Sequence, residues 1–260
     1  MKGETQPQPM EWYPTPSYLA KRRVILEFVA GLDVSRFLEV GCGAGDLLSV
    51  LEKKGLSGVG IDLSASARAA ARTRVSGGAV AVSDAELAGL DGGFDLVIAS
   101  EVMEHCEDDI AFLELLGGKL HDGGHLLLTV PSHMDKWGAN DDFCGHVRRY
   151  ERAELNEKLV RAGFEPLAIY CYGFPICNIM KPLYDRAISK ELDQEKSAEE
   201  RTQNSSGMWL FPAVKRLFYL LFNDLTMAPF YMLQRPFYGT ELGNGFFVAA
   251  RKAPSLEDRK

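Results

Sequence analysis

The chain has 260 residues, 46% hydrophobic and 25% charged. That length suits one hydrophobic core with an insertion or small cap, and the composition excludes wholesale disorder, a collagen-like repeat and a polytopic membrane protein. Its 29 basic and 36 acidic side chains leave a formal charge of −7, so no global positive field is present to hold a nucleic-acid backbone, and nucleic acid is not the expected partner.

Residues 1–16 are polar and carry Pro7, Pro9, Pro14 and Pro16. Without an apolar core they do not read as a signal peptide, and a flexible arm is expected. Leu19, Val24, Ile25, Phe28 and Val29 then recur at helical spacing, predicting an amphipathic helix over 17–30 that stops at Gly31 in the left-handed position glycine favours. From Arg36 short apolar runs alternate with helical stretches. Strands are expected at 37–40, 58–61, 79–82, 96–99 and 126–130, with helices over 46–54, 65–74 and 108–120 between them. Continuous apolar strands alternating with helices predict a doubly wound, Rossmann-like α/β fold around a mostly parallel sheet buried on both faces. Gly123-Gly124 marks a tight turn into the fifth strand.

Beyond Pro131 an irregular polar loop is expected, then a helix over 151–162, a strand over 167–172 and a closing strand over 246–250. Residues 173–242 break the period and read as an insertion or cap on a core of 17–172, which resumes with 243–252 before a tail of 253–260. Within it 190–207 is charged and polar, whereas 208–238 is crowded with aromatics and methionine. The apolar runs 217–222 and 227–233 are separated by Asn223 and Asp224 and are too short to span a bilayer. Two readings compete for Trp209, Phe211, Phe218, Tyr219, Phe222, Phe230, Tyr231, Phe237 and Tyr238. They either cover the carboxyl edge of the sheet and wall off an apolar acceptor pocket, or, beside Lys215 and Arg216, face a membrane surface or second subunit through 208–238.

The five cysteines (Cys42, Cys106, Cys144, Cys171, Cys177) are odd in number and form no C-x-x-C pair. This points away from a disulfide framework or zinc ribbon and toward a reducing, cytoplasmic setting.

The chemistry concentrates at the ends of the first four strands. Leu38-Glu39-Val40-Gly41-Cys42-Gly43-Ala44-Gly45-Asp46 runs from strand through a glycine turn into a helix, which lets backbone pass close to a small ligand at the carboxyl edge of an open sheet. The spacing is G-x-G-x-G, with Asp46 where a dinucleotide fingerprint needs its third glycine, and Glu39 opposes a pyrophosphate while suiting a cationic or amine-bearing ligand. Asp62 ends the second run and can accept both hydroxyls of a ribose. Ser83-Asp84-Ala85-Glu86 ends the third, where a purine amino group would lie. Ser100-Glu101-Val102-Met103-Glu104-His105 follows the fourth. Each feature alone has a structural reading as a turn or helix cap; all four in order on one edge argue for a ligand site.

The stretches LEVGCGAGD (38–46), VGID (59–62), SDAEL (83–87), FDLVIASEVMEHCED (94–108) and LHDGGHLLLTVPS (120–132) resemble the class I S-adenosylmethionine-dependent methyltransferases, the broad family that includes ubiquinone-biosynthesis methyltransferases. The resemblance implies a seven-stranded sheet with an antiparallel last strand and S-adenosylmethionine as cofactor. It implies that Glu39, Gly41, Cys42, Gly43 and Gly45 hold the methionine end, Asp62 the ribose diol and Asp84 with Ala85 the adenine, with Leu63 and Ser100 also among the cofactor contacts. Residues 133–242 match much less.

The sulfonium carries an activated methyl, so such an enzyme must align a nucleophile, exclude water and take a proton where needed. His105 is the first candidate base; the alternative is that it only packs or caps the next helix. Glu101, Glu104 and His105 also have the E-x-x-E-H spacing of metal-assisted O-methyltransferases in this superfamily, which act on ubiquinone precursors or the 3′ end of small RNAs. With His146 as fourth ligand they would suit a divalent ion such as Mg²⁺, although Glu-His at this place also occurs in metal-free relatives. Arg148 and Arg149 either grip an anionic substrate group or pair with acidic surface, and His121, His125 and His133 read as structural or solvent-facing. The expected function is methyl transfer to a small-molecule or lipid-like acceptor, with oxygen favoured over nitrogen or carbon. Its rivals are a cofactor-binding scaffold without turnover and a nicotinamide-dependent oxidoreductase, for which Asp46 stands against the fingerprint.

Overall fold

Phe37 and Leu38 are neighbours in one strand and both fully buried, which requires packed layers on both faces of the sheet. The computed structural model describes residue 9, residues 12–189 and residues 221–254. Most of the expected arm and tail, and Trp209, Phe211, Lys215, Arg216, Phe218 and Tyr219 of the expected cap, lie outside the described residues. The elements in order are α1 (Pro16–Val29), β1 (Arg36–Val40), α2 (Asp46–Lys53), β2 (Ser57–Ile61), α3 (Ala65–Arg74), β3 (Val80–Ser83), β4 (Phe94–Ser100), α4 (Asp109–Lys119), β5 (Leu120–Pro131), α5 (Ala139–Cys144), α6 (Arg152–Arg161), β6 (Phe164–Tyr172), α7 (Ile176–Ile188), α8 (Asp224–Gln234) and β7 (Gly245–Lys252).

Seven strands form one sheet in the order β3-β2-β1-β4-β5-β7-β6. β1 pairs parallel with β2 and β4, and β5 parallel with β4. β7 inserts between β5 and β6 and runs antiparallel to both. Phe37, Leu96, Ile98, Leu127 and Phe247 pack on one face beneath α1, α2, α7 and α8; Leu38, Val97, Leu126, Leu128 and Phe246 pack on the other against α4 and α6. Chain order reverses on either side of β1, and the carboxyl ends of β1 and β4 open there into the crevice where such sheets bind ligands.

Several boundaries differ from the sequence reading. α1 begins one residue early because the Thr15 hydroxyl caps it, accepting from Tyr18 N–H at 3.0 Å. Gly31 is not left-handed; Ala30 ends the helix in right-handed geometry and Gly31 N–H donates to the Phe28 carbonyl. The Gly123-Gly124 turn lies inside β5, not ahead of it. Three residues of β4 (Phe94 to Leu96) oppose six of β5 (Leu120 to His125), and Gly123 takes φ +80° in the excursion. Cross-strand bonding thus recruits polar flanks that periodicity alone leaves out. The loop expected after Pro131 contains α5, closed by Gly145 at φ +74°.

Candidate active site

The carboxyl edge of the sheet opens into a cavity of about 890 Å³, walled by the ends of β1, β2 and β4, by α1 and by α7, within the range of small-molecule sites. The glycine turn forms its floor. Gly41 and Cys42 N–H both donate to the Ile61 carbonyl at 2.9 Å, tying the turn to β2. Gly41 (φ +73°) approaches so closely that a Cβ would stand 2.5 Å from Val102 Cγ2, and at Gly45 (φ +77°) it would meet Ala71 at 2.8 Å. Gly43 (φ +51°) meets nothing within 4 Å, so this peptide faces open space. Cys42 is buried, and its thiol is pushed far up by burial and by Glu39.

Glu39 is buried beside this turn, with Oε2 lacking any hydrogen-bond partner. Burial, then Asp46 and Asp62, raise its carboxyl well above the ordinary range; a ligand ammonium or sulfonium would relieve that cost. Asp62 is already anchored: Oδ2 accepts from Gly43 N–H and Oδ1 from Ser64 N–H, each at 2.8 Å. Each oxygen keeps acceptor capacity for a hydroxyl. Leu63 is 86% exposed at the rim, an apolar surface fit for a planar ring. Asp84 also borders the cavity, but its carboxylate pairs with Arg72 (2.6 Å) and Arg68 (2.8 Å), which hold its pKa low. Ala85 N–H donates to Ser83 Oγ. Ser100 Oγ pairs with Thr129 Oγ1 at 2.8 Å. These residues fit an aminoacyl-nucleoside such as S-adenosylmethionine: an unpaired buried carboxylate for its cations, an open glycine backbone and an aligned diol acceptor.

The second half of the site lies after β4. Glu104 is fully buried and neither carboxyl oxygen has a hydrogen-bond partner; His146 Nε2 stands 3.7 Å away, too far for a hydrogen bond. Burial and then Glu101 push the Glu104 carboxyl well up. His105 and His146 meet edge to face, 5.0 Å between centroids, and one ligand atom from each of Glu104, His105 and His146 falls within 4.8 Å of the others. Glu101 does not join them. It sits at φ +56°, and Oε1 accepts from Tyr172 OH at 3.2 Å. Burial would raise its carboxyl, yet Lys21 and His146, with hydrogen bonds from Thr129 and Tyr172, hold it low.

The tautomers follow from the partners. His146 Nδ1 lies 2.8 Å from Asp141 Oδ1, and His105 Nδ1 lies 3.3 Å from the Gly145 carbonyl. A carboxylate and a carbonyl only accept, so both rings carry a proton on Nδ1. Burial, then His146, lowers the His105 pKa and keeps that ring neutral at neutral pH. Arg149 grips Asp141 through Nε and a terminal nitrogen, both at 2.9 Å, and donates to the Ser132 carbonyl. Arg148 pairs with Asp109. Both arginines are therefore spent inside the protein rather than on an anionic substrate.

Sequence reasoning missed Asp141, which has no motif around it, and Lys21, Tyr18 and Arg22 of α1. Tyr18 OH and Arg22 fix Asp46 at 2.9 and 2.5 Å, and Lys21 faces the cavity. Only the docking of α1 on the sheet edge brings them there.

The methyltransferase-domain family model matches residues 16–169. A ubiquinone biosynthesis O-methyltransferase of Bradyrhizobium sp. (strain ORS 278) is 36% identical over 99 residues, 36% of this chain and 39% of that protein; the chain thus matches well under two thirds of that relative's length. Among solved structures, an S-adenosylmethionine-dependent methyltransferase from Mesorhizobium loti superposes with TM-score 0.55 at 16% identity, covering 88% of this chain and 97% of that one. The cyclase SpnF does so with TM-score 0.59 at 18% identity over 90% and 80%, so the fold alone does not dictate the reaction. With the family match spanning the glycine turn, the strand-end carboxylates and the Glu104-His105 segment, the chain belongs to the class I S-adenosylmethionine-dependent methyltransferase family.

Proposed function

We propose that this protein transfers the methyl of S-adenosylmethionine to a hydroxyl of a small-molecule or lipid-like acceptor. The observation that carries the reading is the meeting of His105, His146 and the unpaired Glu104 carboxyl beside the glycine-turn cavity. Glu39 and the Gly43 peptide would hold the methionine end, Asp62 the ribose, and Leu63 with the backbone at 84–85 the adenine. Ser100 would act through the Thr129 bond that shapes this edge. The acceptor oxygen attacks the methyl carbon, the carbon–sulfur bond breaks with its electrons staying on sulfur, and the hydroxyl proton passes to Nε2 of His105. His146, oriented by Asp141, backs that ring and shares its role.

One carboxylate and two imidazoles also suit a divalent ion, Mn²⁺ more than Mg²⁺, held by Glu104, His105 and His146. Such an ion, when bound, would acidify and orient the acceptor hydroxyl. Turnover should then vanish with EDTA and return with Mg²⁺ or Mn²⁺ while cofactor affinity stays constant. Full activity in chelator leaves His105 as an ordinary base.

The acceptor chamber is proposed to be closed by α1 and α7, whose Cys177, Met180 and Tyr184 face the cavity. Residues 173–242 are thus proposed as the insertion that selects the acceptor. α8 divides its side chains: Met227 and Tyr231 are buried in the core, whereas Leu225 and Met232 are 83% and 72% exposed. That outward pair supports peripheral membrane contact as a companion role; among the described residues no helix is long and apolar enough to cross a membrane. Labelled S-adenosylmethionine offered with phenols, isoprenoid quinol precursors and glycolipids tests the reading. Cofactor binding without turnover on any of them favours a scaffold, and preference for NADH overturns the assignment.

A further inference from the structure

A second cluster of metal-binding side chains, sharing no residue with the Glu104 pocket, lies where three separated stretches meet on the β5–β7–β6 side of the sheet. His133 follows β5, Cys171 is near the end of β6, and Glu241 lies in the segment that enters β7. One ligand atom from each falls within 4.8 Å of the other two, and His133 Nε2 stands 3.3 Å from Glu241 Oε2.

The histidine is the informative member. Its side chain is 9% exposed, and Nδ1 lies 2.7 Å from Glu151 Oε2. Nε2 is buried and makes no hydrogen bond, because the nearby Glu241 oxygen is poorly placed to accept one. The ring is held edge-on to Phe246, 5.1 Å between centroids, on a backbone at φ +61°. An imidazole fixed through Nδ1 by a carboxylate, with a buried Nε2 that makes no hydrogen bond 3.3 Å from a second carboxylate and a thiol in the same cluster, has the second-shell arrangement of zinc-bound histidines.

The other two groups are disposed to match. Glu241 uses Oε1 for Arg152 (2.5 Å), leaving Oε2 toward the histidine. Burial raises the Cys171 thiol, while Lys136, the Gly243 N–H and the Ser132 hydroxyl act in the opposite direction. The Lys136 ammonium is itself occupied by the carbonyls of Glu241 and Gly243.

We propose that His133, Cys171 and Glu241 form a binding site for a zinc-class divalent ion, with solvent completing the coordination. Ligands bonded at roughly 2.0–2.3 Å in a tetrahedron stand about 3.3–3.8 Å apart, so only a small closure of the cluster is needed. The thiol proton leaves to solvent as the metal–sulfur bond forms, and nothing is oxidised or reduced. The ion staples the chain re-entering the sheet from the 173–242 connection to the ends of β5 and β6.

The chain, freed of metal and titrated with Co²⁺, should develop a thiolate-to-cobalt charge-transfer band in the near ultraviolet that saturates at one thiolate-bound equivalent, whatever further cobalt the Glu104 pocket takes. The band should be lost in Cys171→Ser and retained in His146→Ala, which removes a ligand from the other pocket. Glu241 is half exposed, so Glu241→Gln keeps the fold and should weaken binding about tenfold or more. Zn²⁺ should raise the thermal midpoint of the parent more than that of Cys171→Ser. A parent chain giving no thiolate band overturns the site, as does a band that survives Cys171→Ser or disappears in His146→Ala. Unchanged affinity in Glu241→Gln removes Glu241 from the ligand set.

Discussion

Asp62 and Glu104 are carboxyl groups on the same edge of one sheet, and they are treated oppositely. Asp62 accepts two backbone N–H groups at 2.8 Å, both from the turns beside it. Glu104 is fully buried with no partner at either oxygen. Around Asp62 the cofactor side is therefore complete before a ligand arrives, built from neighbouring turns that satisfy one another, with Glu39 Oε2 left unpaired for the ligand. The transfer side is assembled from distant stretches and left electrostatically open, a cost that persists only where the surrounding structure enforces it. What enforces it is the Arg149–Asp141–His146 chain, in which both Asp141 oxygens are paired.

Breaking that support should have the largest effect. Arg149→Met strands the buried Asp141 charge and should destabilise the fold by about 3–5 kcal/mol, measured by urea unfolding; adding Asp141→Asn should recover part of the loss. A drop below about 1 kcal/mol would mean that another contact holds the pocket.

Glu104→Gln separates function from stability. Turnover should fall about 100-fold or more, the scale of a lost proton-transfer or metal group, whereas the thermal midpoint without added metal should stay or rise because a buried ionisable group is removed. A lower midpoint would show that Glu104 has a stabilising partner.

On the cofactor side, Asp62→Ala should weaken S-adenosylhomocysteine binding by about 1–3 kcal/mol, read by calorimetry. It also frees the Gly43 and Ser64 amides, so thermal stability should decrease modestly, unlike in Glu104→Gln.

The pH dependence contrasts the regions again. Hydrogen bonds from His146 and Arg149 outweigh burial and bring the Asp141 carboxyl from 3.8 to about 2. A depressed folded-state pKa stabilises at pH above the unfolded value, and that stabilisation, about 2 kcal/mol, is lost as pH falls through roughly 3.8 toward 2. Asp141→Asn should flatten the stability profile in that window. The smallest effect is expected for Asp84→Asn: its carboxylate is exposed and faces Arg68 and Arg72, so cofactor affinity should change less than about threefold. A larger loss would restore Asp84 as a direct adenine contact.

The glycine turn, the Asp62 position and the strand–helix alternation through β5 were legible in the amino-acid sequence because each depends on neighbours. Glycine tolerates the positive φ that Gly41 and Gly45 adopt, apolar period sets burial, and a residue at a strand end projects from the sheet edge. That His146 joins His105 was expected only as a fourth ligand beside the E-x-x-E-H spacing of metal-assisted relatives; no local pattern dictates it, since 40 residues and α4, β5 and α5 intervene. Tertiary structure alone decided that Glu101 leaves the cluster for Tyr172 and that Asp141 joins two halves of the pocket. It also decided that Lys21 enters from α1, and that His133, Cys171 and Glu241 converge. The physical reason is range: backbone geometry and periodicity act over a few residues, whereas the charge left unpaired in a pocket depends on which distant side chains the packed sheet brings within a few ångströms.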